Sequence, residues 1–151
     1  MSMPGDIREI NRSVIEEFRA NGGVVTQLGL ENTRVVLLTT TGVKTGLPRT
    51  TPLGCFEDGP GRVFVWASAM AAPAHPAWYR NLAANPRVTI ELGTGSGTVE
   101  HYEAIATTAE GAERERLLGV LKEARPHIAA HQDRTDREIP VVVVEYRSQA
   151  T

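Results

Sequence analysis

Val35-Val36-Leu37-Leu38-Thr39-Thr40-Thr41-Gly42-Val43-Lys44-Thr45-Gly46-Leu47-Pro48-Arg49-Thr50-Thr51-Pro52 decides how the rest of the chain is read. Its apolar start reads as a buried strand. Two glycines, two cations and several hydroxyls then share one turn. Glycine lets backbone N–H groups approach a ligand, hydroxyls add hydrogen bonds, and Lys44 and Arg49 add positive charge. That mixture suits a phosphate or a carboxylate, and it also suits a plain hairpin turn with solvated cations. It is not a Walker loop, because the Gly42–Lys44 spacing is wrong and a strand-like stretch follows where a helix is needed.

Working outward, Arg49–Glu57 and Arg62–Ser68 read as two further strands joined by Asp58-Gly59-Pro60-Gly61, a turn in which Gly supplies positive φ and Pro fixes its own. Upstream, Ile7, Ile10, Val14 and Phe18 recur at helical spacing until Asn21-Gly22-Gly23 stops them. Downstream, Pro76 opens a helix that Asn85-Pro86 closes. Val88–Leu92 and Thr98–Ala106 read as strands around Gly93-Thr94-Gly95-Ser96-Gly97. That cluster reads as a hairpin, since a dinucleotide loop requires a following helix. Thr107-Thr108-Ala109-Glu110 has capping-box form and opens a helix with a stripe of Leu117, Leu118 and Leu121. A short helical segment follows over Pro126–Asp133, and Ile139–Val144 is the last strand. Hairpin connections predict an antiparallel sheet, and about six strands flanked by helices predict an α+β, barrel-like fold.

The chain has 151 residues, the size of one domain over residues 1–151, with 1–30 as an N-terminal helix and lead-in. A net charge of −2 gives no electrostatic case for nucleic acid as a partner. The lone Cys55 fits a reducing cytoplasm and reads as a small core residue. No apolar run is long enough for an integral membrane segment. Candidate reactive groups are few. His127 and His131 lack the Glu and Cys partners of a zinc site, so no metal is expected. No nucleophile elbow surrounds Ser68. Aromatic residues make up 5% of the chain, so Trp66, Trp78 and Tyr79 near these elements stand out as ligand-facing or core residues.

Three blocks in order, Leu37–Arg49, Val65–Ser68 and Pro76–Pro86, with Arg134–Val142 near the C-terminus, resemble the deazaflavin (F420)-dependent nitroreductase family. The resemblance covers most of the chain from about Val35. It implies a split β-barrel, coenzyme F420 as cofactor and hydride transfer from the reduced deazaflavin to a small planar acceptor: a quinone, an enone or a nitroaromatic. It further implies that Gly42, Lys44, Thr45, Gly46 and Arg49 grip the anionic tail, that Pro52 and Leu53 border the ring, and that Ala67 and Ser68 meet its polar edge. Pro76, Trp78, Tyr79 and Asn81 would form the opposing wall, with Ser68 also hydrogen-bonding a substrate oxygen. Two departures stand out. Many members have two adjacent cations in the turn, and Val43 occupies the first position here. Arg125, Ile128 and His131 replace aromatic positions, which leaves His131 as a candidate general acid. A non-catalytic F420 carrier and an FMN-binding enzyme of the same barrel class are the alternatives. Barrels of this class often pair, so a homodimer is open.

Overall fold

The computed structural model describes residues 4–27, 34–67 and 75–147. Ser68 therefore lies outside the described residues, as do residues 71–74 before the second helix.

The elements run α1 (Pro4–Ala20), β1 (Val35–Thr41), β2 (Pro48–Gly54), β3 (Phe56–Glu57), β4 (Arg62–Trp66), α2 (Ala77–Ala84), β5 (Arg87–Gly93), β6 (Val99–Thr108), α3 (Gly111–Ala124), α4 (Pro126–Ala129), a 3-10 turn (Ala130–Arg134) and β7 (Val141–Tyr146). The strands form a seven-stranded sheet in the order β2-β1-β5-β6-β7-β4-β3, with every pair antiparallel. This is the α+β, split-barrel architecture expected: a curled half-barrel with helices at its margins.

Burial on both faces explains the continuous apolar runs. Val36 and Leu38 join Val63, Val65, Ile90, Val142 and Val144 in the central core. The alternate residues Val35 and Leu37 pack against Val14 and Phe18 of α1. Likewise Phe64, Trp66, Val141 and Val143 pack against Leu117 and Leu121 of α3. A strand covered on both sides has no polar face to show, so alternation disappears. Arg19 of α1 grips buried Glu91 of β5 through both carboxylate oxygens, at 2.9 and 2.7 Å, and pins the helix to the sheet.

The glycine cluster is the β5–β6 hairpin, and its residues serve packing. A Cβ on Gly93 would collide with the Gly22 carbonyl, and one on Gly22 with the Gly97 backbone. The end of α1 thus rests directly on the hairpin backbone.

Two expectations need correction. The strand read as Arg49–Glu57 breaks at Cys55, whose N–H bonds Arg34 O at 2.8 Å, so among the described residues seven strands stand where about six were expected. The capping box over Thr107–Glu110 does not form. Thr107 and Thr108 extend β6 by pairing with Val143 and Val142, and Glu110 is the N-cap without a side-chain hydrogen bond. Ladder pairing outcompeted the local cap.

Candidate functional site

The β1–β2 hairpin and the first turns of α2 enclose a cleft of about 790 Å³. The hairpin closes through Gly42 N–H to Leu47 O at 2.8 Å and Gly46 N–H to Gly42 O at 2.9 Å. Gly46 has φ +69°, the left-handed conformation that favours glycine. A Cβ on Gly42 would lie 2.7 Å from Thr45 Oγ1, and that hydroxyl accepts Leu47 N–H at 3.2 Å. Gly42 and Gly46 are therefore explained by the turn itself, and Gly46 N–H is already committed inside it.

Asn81 joins the two walls. Its side chain is buried, Nδ2 donates to Thr40 Oγ1 at 3.1 Å, and Oδ1 accepts Val43 N–H at 3.2 Å. An amide offers both functions at one position, which a buried hairpin-to-helix strut requires.

Gly42, Lys44, Thr45, Arg49, Trp78 and Asn81 are brought together around this cleft. So is Arg80, which sequence reading passed over. Its only signal was its place beside Trp78 and Tyr79 in the third block. Among the described residues, Lys44, Arg49 and Arg80 give the lining three cations, and no Asp or Glu lines it. Among the described residues none of these three side chains has a carboxylate partner. Like charges held together without counterions raise the free energy of the empty cleft and favour an anionic occupant.

The other expected residues lie around this centre. Pro52 and Leu53 sit on β2 opposite Leu37 and Val36, with Leu53 packed on the core. Pro76 is the N-cap of α2, in extended conformation. Ala67 is fully buried, and its carbonyl accepts Arg137 Nη2 at 3.1 Å. Tyr79 meets Trp78 edge-on, ring centroids 6.4 Å apart, but is not among the cleft-lining residues: its OH meets Thr108 Oγ1 at 2.8 Å, and its ring lies 5.0 Å from that of His75. His75 in turn accepts Arg137 Nη1 on Nδ1 at 2.8 Å.

The two tryptophans are equally buried but separate: Trp78 belongs to the central core and borders the cleft, whereas Trp66 packs against α3 and donates Nε1–H to Ile128 O at 3.1 Å. His131 lies on the 3-10 turn and is not among the cleft-lining residues. Burial, helped by Arg134 and His127, holds its pKa below the ordinary value. Burial also pushes the Cys55 thiol up to about 12, so it remains protonated and unreactive near neutrality. Among the described residues no cluster of His, Cys, Asp or Glu is placed to hold a metal, and no helix is long and apolar enough to cross a membrane.

The family description F420H(2)-dependent quinone reductase matches residues 10–146. The chain is 39% identical over 113 residues to an F420H(2)-dependent quinone reductase of Mycobacterium tuberculosis (strain ATCC 25618 / H37Rv), covering 74% of this chain and 73% of the relative. A solved F420-H2 dependent reductase (FDR-A) superposes with a TM-score of 0.62 at 41% identity, over 74% of this chain and 93% of the other. A solved domain-swapped dimer superposes with a TM-score of 0.65 at 37% identity, over 95% of this chain and 100% of the other. Of the two cofactors considered, the family implies the deazaflavin. The cleft fits it: a flat ring needs apolar and aromatic walls, and Trp78 supplies one, while a polyanionic tail needs the three cations. The chain belongs to the F420H(2)-dependent quinone reductase family, whose cofactor is coenzyme F420.

Proposed function

We propose that this chain, as one domain over residues 1–151, is a reductase that passes a hydride from reduced F420 to a small planar acceptor. A quinone is the first choice, with enones and nitroaromatics in the wider class. The observation that carries this reading is the cleft bearing Lys44, Arg49 and Arg80 beside Trp78, with no carboxylate among its described lining residues. When bound, the reduced deazaflavin supplies the hydride.

The chain's own residues bind, orient and shield. Lys44 and Arg49 hold the tail anions as charge-assisted donors. The Thr45 hydroxyl retains its hydrogen for donation, and Gly46 keeps the backbone close to the tail. Pro52 and Leu53 border the ring, Ser68 faces its polar edge, and Pro76 and Trp78 close the far wall against water, while Ala67 stays buried with its carbonyl on Arg137 and Tyr79 braces α2 against β6 through Thr108. Asn81 acts from behind, keeping hairpin and helix at one separation. Ser68 orients the acceptor oxygen. His131 is the proposed proton donor although it stands on the 3-10 turn outside the cleft lining, and burial, by lowering its pKa, reduces its protonated fraction near neutral pH. The reading sets the enzyme in the cytoplasm. It takes the protein as a homodimer, with the likeness to a domain-swapped dimer as support.

The test is anaerobic mixing of the protein with reduced F420 and a quinone such as menadione. Protein-dependent return of the oxidised deazaflavin absorbance is expected. Binding without turnover on quinones, enones and nitroaromatics alike would make the protein a carrier.

A further inference from the structure

We propose that Arg80 is the second-wall anchor for the anionic tail of F420, taking over from α2 the charge that Val43 leaves out of the hairpin. This rests on the cofactor reading above. Val43 stands where a cation often precedes Lys44, and its side chain is 60% exposed, so nothing in the core demanded the change. Across the cleft, Arg80 lines the same space as Lys44 and Arg49. It is exposed, and among the described residues its side chain makes no hydrogen bond or ion pair. The next residue, Asn81, is bolted to Val43 N–H and Thr40 Oγ1. The spacing between the Arg80 wall and the hairpin is therefore set by the two Asn81 hydrogen bonds, one buried and one part-buried, and not by the cations themselves.

Placement on a helix changes what the third charge does. Two adjacent cations on one turn bind an anion from one side. Lys44 and Arg49 on the hairpin with Arg80 on α2 bind it from two sides, which suits a tail carrying a phosphate and several carboxylates. A guanidinium fork also pairs two oxygens of one phosphate or carboxylate, which an ammonium cannot do. The charge of Arg80 reaches beyond the cleft: it contributes, after burial and Arg137, to holding the His75 pKa down.

The experiment is a fluorescence titration of wild type, Arg80→Ala, Arg80→Lys and Arg87→Ala with F420. The same proteins are titrated with the deazaflavin core truncated before its phosphate. Arg80→Ala should weaken F420 binding about tenfold at low salt, the size of one charge-assisted contact. It should leave affinity for the truncated core unchanged. Arg80→Lys should recover part of the loss, and Arg87→Ala, an exposed cation outside the cleft, should lose nothing. Equal loss for both ligands, or equal loss in Arg87→Ala, would overturn the assignment, as would undiminished F420 binding by Arg80→Ala. Failure of the wild type itself to bind F420 would instead remove the cofactor reading on which the assignment stands.

Discussion

Asn81 and Val43 meet through a hydrogen bond of 3.2 Å between a buried helix amide oxygen and the N–H of an otherwise exposed turn residue. This single contact, with its companion to Thr40, fixes the cationic hairpin against α2. Replacing Asn81 by Ala leaves two polar groups without partners, and should cost about 2 kcal/mol of stability. F420 affinity should fall as well, because the walls lose their spacing. Chemical denaturation and a coenzyme titration check both; a variant that loses stability but keeps full affinity would show that the strut does not shape the cleft.

Lys44→Ala should lose about tenfold in F420 affinity at low salt and about threefold at 0.5 M, since mobile ions screen an exposed cation–polyanion contact. Titrations at two ionic strengths read this directly. An identical loss at both would mean that Lys44 acts through turn shape and not through charge.

Arg137 donates to His75 Nδ1 at 2.8 Å, and a guanidinium has no acceptor to offer, so the imidazole must present a lone pair there. His75 is thereby held as the neutral Nε2–H form. Its pKa lies below the usual 6.5, from burial first and then Arg137 and Arg80. The sign of the linkage follows: below pH 6.5 the unfolded chain takes up a proton that the folded chain resists. Stability is full above that value and falls as pH drops toward the lowered native pKa. His131 acts in the same direction. Melting temperature measured from pH 7.5 to 5 should decline, and less steeply in His75→Gln. A His75→Gln profile parallel to wild type would mean that the proton is taken up elsewhere.

Gly93→Ala should destabilise by about 3 kcal/mol, because the added carbon meets the Gly22 carbonyl and backbone cannot rotate aside. Gly95→Ala in the same cluster meets no atom within 4 Å. It should cost less, its strain coming only from φ +86°. Thermal melts of the two variants separate a packing role from a turn role, and a milder effect at Gly93 than at Gly95 would refute the packing account.

Much of this protein is determined locally. Val35–Leu38 and Val141–Val144 are apolar without alternation, and a backbone sandwiched between two apolar layers permits nothing else. The glycine-punctuated turn with Lys44 and Arg49, the helix opened by Pro76, and the ordered blocks that identify the family are likewise carried by neighbouring residues. Tertiary structure alone decided the rest. Thr107 and Thr108 left a plausible cap for β6 because strand β7, some 35 positions away in sequence, offered them partners. Trp66 and Trp78 are equally buried but joined different cores, Trp66 the one under α3 and Trp78 the central one at the edge of the cleft, because each faces the layer packed against its own element. Arg80 and Lys44 became wall and counter-wall, and Asn81 became a strut, only once α2 settled on β1. Periodicity reports which face of an element is buried. Which cations then stand across a cleft depends on the packing of elements distant along the chain, and no local pattern encodes that distance.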